Sequence, residues 1–313
     1  MRNTLMLTVA AAGLLTAASM AVAGTWVPAN VPNGGSSFTV FGMNDKQVVT
    51  GDFIDANGNQ QGVIGPFDGS NYTIFNDGGT GTQPRGLNNK GWTMGFDTGS
   101  LQQWGRKPSG TLKPVKQGGV PVAVALVMGI NSSNVFAGDY TNSSGVETGA
   151  TGTGFKYTAK IKLSIKNTGY AGRAIDTAGD VAGWYFDSSG IQHGYAIIAG
   201  NTIKIEYPNS FYTVVEGLND KLVASGQWED NSGVIHGFTY NTTTKKYKSL
   251  DAPGASFTQV WGINNKNVVA ASAAESSGTE SFVYCSGTKG CPAAGIVRKT
   301  TNQPYRQPVP QAN

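Results

Sequence analysis

The sequence predicts an all-β fold: a six-bladed β-propeller of four-stranded antiparallel blades, with the ring closed by the N-terminal strand. Three observations carry that expectation. A Gly-apolar-Asn step recurs six times, at Gly42-Met43-Asn44, Gly86-Leu87-Asn88, Gly129-Ile130-Asn131, Ala174-Ile175-Asp176, Gly217-Leu218-Asn219 and Gly262-Ile263-Asn264. Its copies stand 44, 43, 45, 43 and 45 residues apart, the period of one propeller blade. Nine residues after each copy opens comes a second small residue: Gly51, Gly95, Gly138, Gly183, Gly226 and Ala271. Finally, 44 glycines and only 13% charged residues suit short strands joined by tight turns.

Taken from the start, Met1-Arg2 is a short basic opening, Leu5 to Met20 an apolar run, and Ala21-Val22-Ala23 a small-x-small cleavage site. Residues 1–23 therefore read as a signal peptide, and the mature chain begins at Gly24. The run is short and small-residue-rich for a membrane anchor, and no second apolar span follows. The expected product is periplasmic or secreted, with one propeller domain over 24–300 and a flexible tail over 301–313.

Within each unit a β-rich run, such as Ser37 to Phe41 or Phe257 to Trp261, enters the Gly-apolar-Asn step. A hairpin turn follows (Asp45-Lys46, Asn89-Lys90, Asp220-Lys221, Asn265-Lys266), since Asn and Asp tolerate left-handed backbone and bond their own main chain. A second strand (Val48 to Phe53, Val268 to Ala274) leads to a polar turn such as Asp187-Ser188-Ser189-Gly190. The third strand opens at His193-Gly194-Tyr195 or His236-Gly237-Phe238, and a fourth follows at Thr202 to Glu206 or Lys246 to Leu250.

Similar Pro-Gly-containing text precedes the last repeat (Leu250 to Thr258) and the first (Ala29 to Thr39). The mature chain thus opens with the end of a blade, and Trp26 to Val31 is expected to pair into the sixth blade and remove the exposed edge. An open solenoid would instead need polar capping units, and none is visible. Cys285 and Cys291, in Cys-Ser-Gly-Thr-Lys-Gly-Cys, suit a local disulfide in an oxidising compartment. A metal or redox pair is the rival reading, but it lacks a nearby His or further Cys.

The period, the Gly-Ile-Asn turn and the His-Gly-Phe/Tyr step with its following Pro-Gly-Ala segment resemble the extracellular HAF-repeat family of exported bacterial proteins. The resemblance covers Ser37 to about Tyr284 and implies a β-propeller. It implies no settled activity, so it transfers no catalytic residue. Repeats two and three depart from it, with Gln103-Trp104-Gly105 and Thr153-Gly154-Phe155 where the His-Gly-aromatic step belongs.

Chemistry is sparse. The net charge of +4 is spread out, without the basic cluster that nucleic acid needs. The two histidines share one repeat position, which reads as a ring nitrogen bonding a turn. Asp55-Ala56-Asn57-Gly58-Asn59 faintly resembles a calcium turn but lacks the closing acid, so turn formation is the better reading. No metal, cofactor or catalytic group is assigned.

One position escapes the template. Immediately before each Gly-apolar-Asn step stand Phe41, Arg85, Met128, Arg173, Glu216 and Trp261. A ring that individualises one position in this way can be lining its axis, or pairing Arg and Glu across blade interfaces. Arg85, Arg173, Glu216 and Trp261 are the candidate ligand-binding residues. Two functions stay open: a monomeric, non-catalytic binding protein recognising a glycan, peptide or partner protein on a propeller face, or a polymer lyase or hydrolase with a central funnel. Trp184 and Trp228 read as packing aromatics, whereas Trp92 and Trp104 break the pattern and are candidates for exposure.

Overall fold

Each copy of the Gly-apolar-Asn step ends the innermost strand of a separate sheet, and the six sheets stand in a ring. The structure, a computed structural model, describes residues 24–121, 126–275, 278–286 and Cys291. The signal peptide expected at 1–23 and the tail expected at 301–313 lie outside the described residues.

After β1 (Thr25–Pro28), the first blade contains β2 (Ser36–Met43), β3 (Val48–Ile54), β4 (Gln60–Pro66) and β5 (Thr73–Phe75). The second contains β6 (Thr82–Leu87), β7 (Thr93–Asp97), β8 (Gln103–Arg106) and β9 (Leu112–Pro114). Two short strands, β10 (Lys116–Gln117) and β11 (Val120–Pro121), precede the third blade: β12 (Val127–Ile130), β13 (Val135–Thr141), β14 (Glu147–Thr153) and β15 (Lys156–Lys160). The fourth has β16 (Gly169–Ile175), β17 (Val181–Phe186), β18 (Gln192–Ile198) and β19 (Asn201–Ile205). The fifth has β20 (Tyr212–Leu218), β21 (Val223–Glu229), β22 (Ile235–Asn241) and β23 (Lys246–Leu250). The sixth has β24 (Phe257–Ile263), β25 (Val268–Glu275) and β26 (Gly278–Cys285).

The sixth blade takes its outermost strand from the other end of the chain. β1 pairs antiparallel with β26, Trp26 opposite Tyr284, and Ala29 N–H extends the ladder to the Ser281 carbonyl at 2.8 Å. The first and last parts of the chain are thereby held in one sheet, as the broken repeat predicts. The third sheet departs from the expected pattern. β10 joins β15 in parallel and β11 joins β10, which makes it six-stranded. The extra strands come from the longer connection between the second and third blades.

Apolar clusters fill most seams between blades. Val40, Val63, Val268 and Val283 join the first and sixth; Met94, Phe136 and Phe155 the second and third; Ala196, Ile205, Val215 and Phe238 the fourth and fifth. The seam between the first and second is polar: Gln60 donates to Asp52 and accepts from Thr98 Oγ1 at 2.8 Å, beside buried Thr82 and Gln83. Cys285 and Cys291 form a disulfide, their Cα atoms 5.6 Å apart. Among the described residues no helix is long and apolar enough to cross a membrane.

Candidate functional site

The innermost strand of every blade carries a β-bulge at the same repeat position, and that of the first blade has a second register shift between Ser36 and Thr39. Pairing with the second strand skips from Val40 to Gly42, Pro84 to Gly86, Val127 to Gly129, Gly172 to Ala174, Val215 to Gly217 and Val260 to Gly262. The skipped residues are Phe41, Arg85, Met128, Arg173, Glu216 and Trp261. A bulged residue is freed from the ladder and re-aimed. All six line a cavity of about 100 Å³ on the ring axis.

The same bulge explains both conserved spacings of small residues. A Cβ on Gly51, Gly95, Gly138, Gly183 or Gly226 would overlap the carbonyl oxygen two residues before the bulge, at Thr39, Gln83, Leu126, Ala171 or Val214. On Gly42, Gly86 or Gly129 it would strike the next blade's inner strand, at the carbonyl of Arg85, Met128 or Arg173. The small residues mark close backbone approach rather than unusual φ.

Arg85 and Glu216 come from the second and fifth blades, on opposite sides of the ring. They meet across it with 4.0 Å between Nη2 and Oε2, and both side chains are almost fully buried. Arg85 also lies against a pair of aromatics in edge-on contact, its Cζ 4.0 Å from the Phe41 ring centre and 4.8 Å from that of Trp261. Such contact with ring faces favours a desolvated guanidinium. Trp261 is anchored by its Nε1–H donating to Ser272 Oγ at 3.0 Å. Arg173, 8% exposed, lies over Trp184 with Cζ 5.1 Å from the ring centre. Its Nε and Nη1 are buried and have no hydrogen-bond partner in the protein.

Buried carboxyls stand behind the two arginines. Burial pushes Asp52 up to about 6, against opposing hydrogen bonds from Gln60 and Gln83 and the charge of Arg85. Asp139 is pushed well above the usual carboxylate range, first by burial and then by the charge of Glu147, with Arg173 pulling the other way. Burial likewise raises Glu147.

Met43, Leu87, Ile130, Ile175 and Leu218, the apolar residues of the repeat in the first five blades, line the axial cavity and also a second one of about 80 Å³. They separate the two cavities, and Met43, Ile130, Ile175 and Leu218 also pack outward into the blade clusters. The second cavity is rimmed by the repeat's asparagines, which clasp one blade to the next. Nδ2 of Asn88 donates to Asn131 O at 2.9 Å, Asn131 to Asp176 O at 2.8 Å, Asn219 to Asn264 O at 2.9 Å and Asn264 to Asn44 O at 3.2 Å. Asn44 donates to Asn88 O at 3.1 Å. Each asparagine's Oδ1 meanwhile accepts two amides of its own turn, as Asn219 does from Lys221 and Val223. The left-handed turn residue is the third after the asparagine, as at Gln47, Asn134, Leu222 and Asn267. The Asn is therefore required for its amide, not for its backbone tolerance.

Both histidines bond turns. His193 Nε2 lies 3.3 Å from Asp187 Oδ2; His236 lies 3.3 Å from Asp230 Oδ2 and, through Nδ1, 2.8 Å from Asp251 Oδ1. Each stacks on an aromatic, Tyr185 or Trp228. Asp55 caps its own turn, its Oδ1 accepting from the Asn57 and Asn59 amides at 2.9 Å. Trp104, a candidate for exposure in sequence, is 4% exposed, because it packs edge-on against Phe75 in the neighbouring blade. Trp92 is half-buried against Phe155.

No family model matches the sequence, and no curated protein does. Solved structures do match in shape. The SapL1 lectin in complex with alpha methyl fucoside superposes with a TM-score of 0.53 at 10% identity, over 83% of this chain and 95% of that one. AofleA from Arthrobotrys oligospora gives 0.51 at 11% identity, over 89% and 88%. A puromycin-hydrolyzing peptidase from Mycobacterium tuberculosis gives 0.51 at 10% identity, over 88% of this chain and 57% of that one. At such identities the likeness establishes the fold alone, and the fold is a β-propeller.

Proposed function

We propose that the protein is an exported, non-catalytic binding protein of HAF-repeat type. Its axial ring of bulge residues takes a small anionic group, such as the carboxylate of an acidic glycan or of a peptide end. The observation that carries this reading is Arg173: two buried N–H groups of a cation, beside an axial cavity, with no partner. Leaving such donors unsatisfied is costly, and a carboxylate oxygen can accept from a guanidinium N–H in a charge-assisted bond. Trp261 supplies an aromatic wall and Arg85 a second cation. The disulfide and the apolar leader sequence support export.

A lyase or hydrolase using Glu216 as acid or base is favoured by one fact, its convergence with Arg85. Against it stands the size of the cavity, which admits a carboxylate-bearing tip and not a polymer strand.

The test is a calorimetric titration of the mature protein with glucuronate and, in parallel, with glucose. Glucuronate is expected to bind and glucose to bind at least ten-fold more weakly; Arg173→Gln should weaken glucuronate about ten-fold or more while the protein stays folded. Equal binding of the two sugars, or an unaltered Arg173→Gln variant, would remove the axial site. Depolymerisation of an acidic polysaccharide that Glu216→Gln abolishes would establish the enzyme instead.

A further inference from the structure

The second repeat departs from the template at Gln103-Trp104-Gly105, and the structure opens a cavity of about 330 Å³ there. It lies away from the axis, walled by Trp104, Leu112 and Pro114 on the apolar side and by Asp77, Asp97 and Gln102 on the polar side. An apolar wall with a few convergent polar groups is the usual make-up of a small-ligand pocket, and the volume is within the usual range.

Two buried polar atoms of its lining residues have no partner in the protein: Trp104 Nε1 and Asp77 Oδ2. Trp104 is more than nine-tenths buried. The other carboxylate oxygen of Asp77 is occupied, accepting from Gly79 N–H at 2.9 Å and Thr82 Oγ1 at 3.1 Å. Asp97 is fully engaged in shaping the loop, with Oδ2 accepting from Gly81 N–H at 2.8 Å and Oδ1 from Ser100 N–H at 2.6 Å. The open valences are therefore one donor on an apolar wall and one anionic acceptor.

We propose that this cavity is a second ligand site, for a neutral polyhydroxylated ring such as a pyranose. A metal cation would leave the indole N–H unsatisfied, and an anion, although Lys113 also lines the cavity, would leave the open Asp77 oxygen without a donor. A hydroxyl group satisfies both atoms, since it accepts from Trp104 and donates to Asp77. The C–H face of a pyranose fits Leu112 and Pro114. The site is independent of the axial ring, because none of its residues lines that cavity.

The test uses the methyl glycosides of glucose, galactose and mannose, titrated into the whole mature protein and followed by saturation-transfer NMR. At least one should bind at millimolar concentration. Asp77→Asn, which keeps shape while changing one open valence, should weaken it about ten-fold, and so should Trp104→Phe, which removes the indole N–H together with part of the ring, while Arg173→Gln leaves it unchanged. Because Trp104 is buried, melting curves accompany both variants, and a crystal of the parent protein soaked in the bound glycoside should show the ring against Trp104 and Asp77. Absence of binding by all three glycosides, ordered water alone in the cavity, or binding indifferent to Asp77→Asn would overturn the proposal.

Discussion

The repeat's asparagine performs two tasks that a carboxylate cannot combine. Its Oδ1 closes its own hairpin while its Nδ2 donates to the backbone of the next blade. Asp176 occupies the position in the fourth blade and keeps the first task, accepting from Asp180 N–H at 2.9 Å. It has no amide for the second, so the clasp toward Asn219 is missing. The turn-to-turn bond that clasped blades also make is kept, Asp220 accepting from Thr177 N–H at 2.8 Å, and Thr177 Oγ1 adds a second donation at 3.0 Å. Burial raises the Asp176 carboxyl, so its charged form costs the folded state stability at neutral pH. Two one-atom substitutions should therefore have opposite signs. Asn219→Asp removes donation to Asn264 O and Asn267 Oδ1 and should cost about 1–3 kcal/mol. Asp176→Asn supplies the missing clasp and should gain about 1 kcal/mol at pH 7. Urea unfolding of both variants decides it, and a destabilised Asp176→Asn protein would show that the clasps do not hold the ring.

The bulged inner strand is the element that turns a repeat into a site. It frees one side chain per blade toward the axis, and it forces a small residue where the second strand passes behind it. Both consequences were legible in the sequence as a spacing of nine and as a position of mixed chemistry. The bulge itself was not, because a skipped pairing leaves no residue type of its own; only the register of the strands reveals it. The extra strands of the third sheet were hidden for a related reason, since two-residue strands such as β10 and β11 carry no period. Trp104 misled because its burial depends on Phe75 of another blade, a contact far apart in sequence. The bulge makes a sharp prediction about substitution. Gly183→Val drives a side chain into the Ala171 carbonyl and should cost about 3 kcal/mol by overpacking. Ala271→Gly, at the one blade that already accepts a Cβ, should cost at most about 1 kcal/mol through chain entropy. Melting temperatures that fall equally in the two variants would contradict the bulge as the origin of the spacing.

At the scale of the whole ring, closure was legible because the first repeat visibly begins with the end of another, and β1 completes the sixth blade accordingly. The polar seam was not, since Asp52 follows Gly51 just as turn carboxylates follow the strand elsewhere; its burial comes from the neighbouring blade. That seam and the axis give the molecule an unusual distribution of carboxyls. Buried ones (Asp52, Asp139, Glu147 and Asp176) are raised, chiefly by burial. Turn carboxylates such as Asp55 and Asp187 are lowered, chiefly by backbone amides. The two sets act oppositely on stability. A lowered carboxyl stabilises the fold above about pH 4, and the gain is lost as pH falls through its folded value. A raised carboxyl binds its proton more tightly when folded, so its contribution is complete below the unfolded value and is lost as pH rises. For Asp52 the window runs from 3.8 to about 6, which corresponds to about 3 kcal/mol. Stability should therefore peak near pH 4 and decline toward neutrality. Asp52→Asn removes one titrating group while keeping its shape, so it should unfold like the parent near pH 4 and be more stable by up to about 3 kcal/mol at pH 8. Urea melts at pH 4, 6 and 8 measure both arms. A parent protein whose stability rises steadily from pH 4 to 8, or an Asp52→Asn variant with the parent's slope, would show that the buried carboxyls are not what limits the ring at neutral pH.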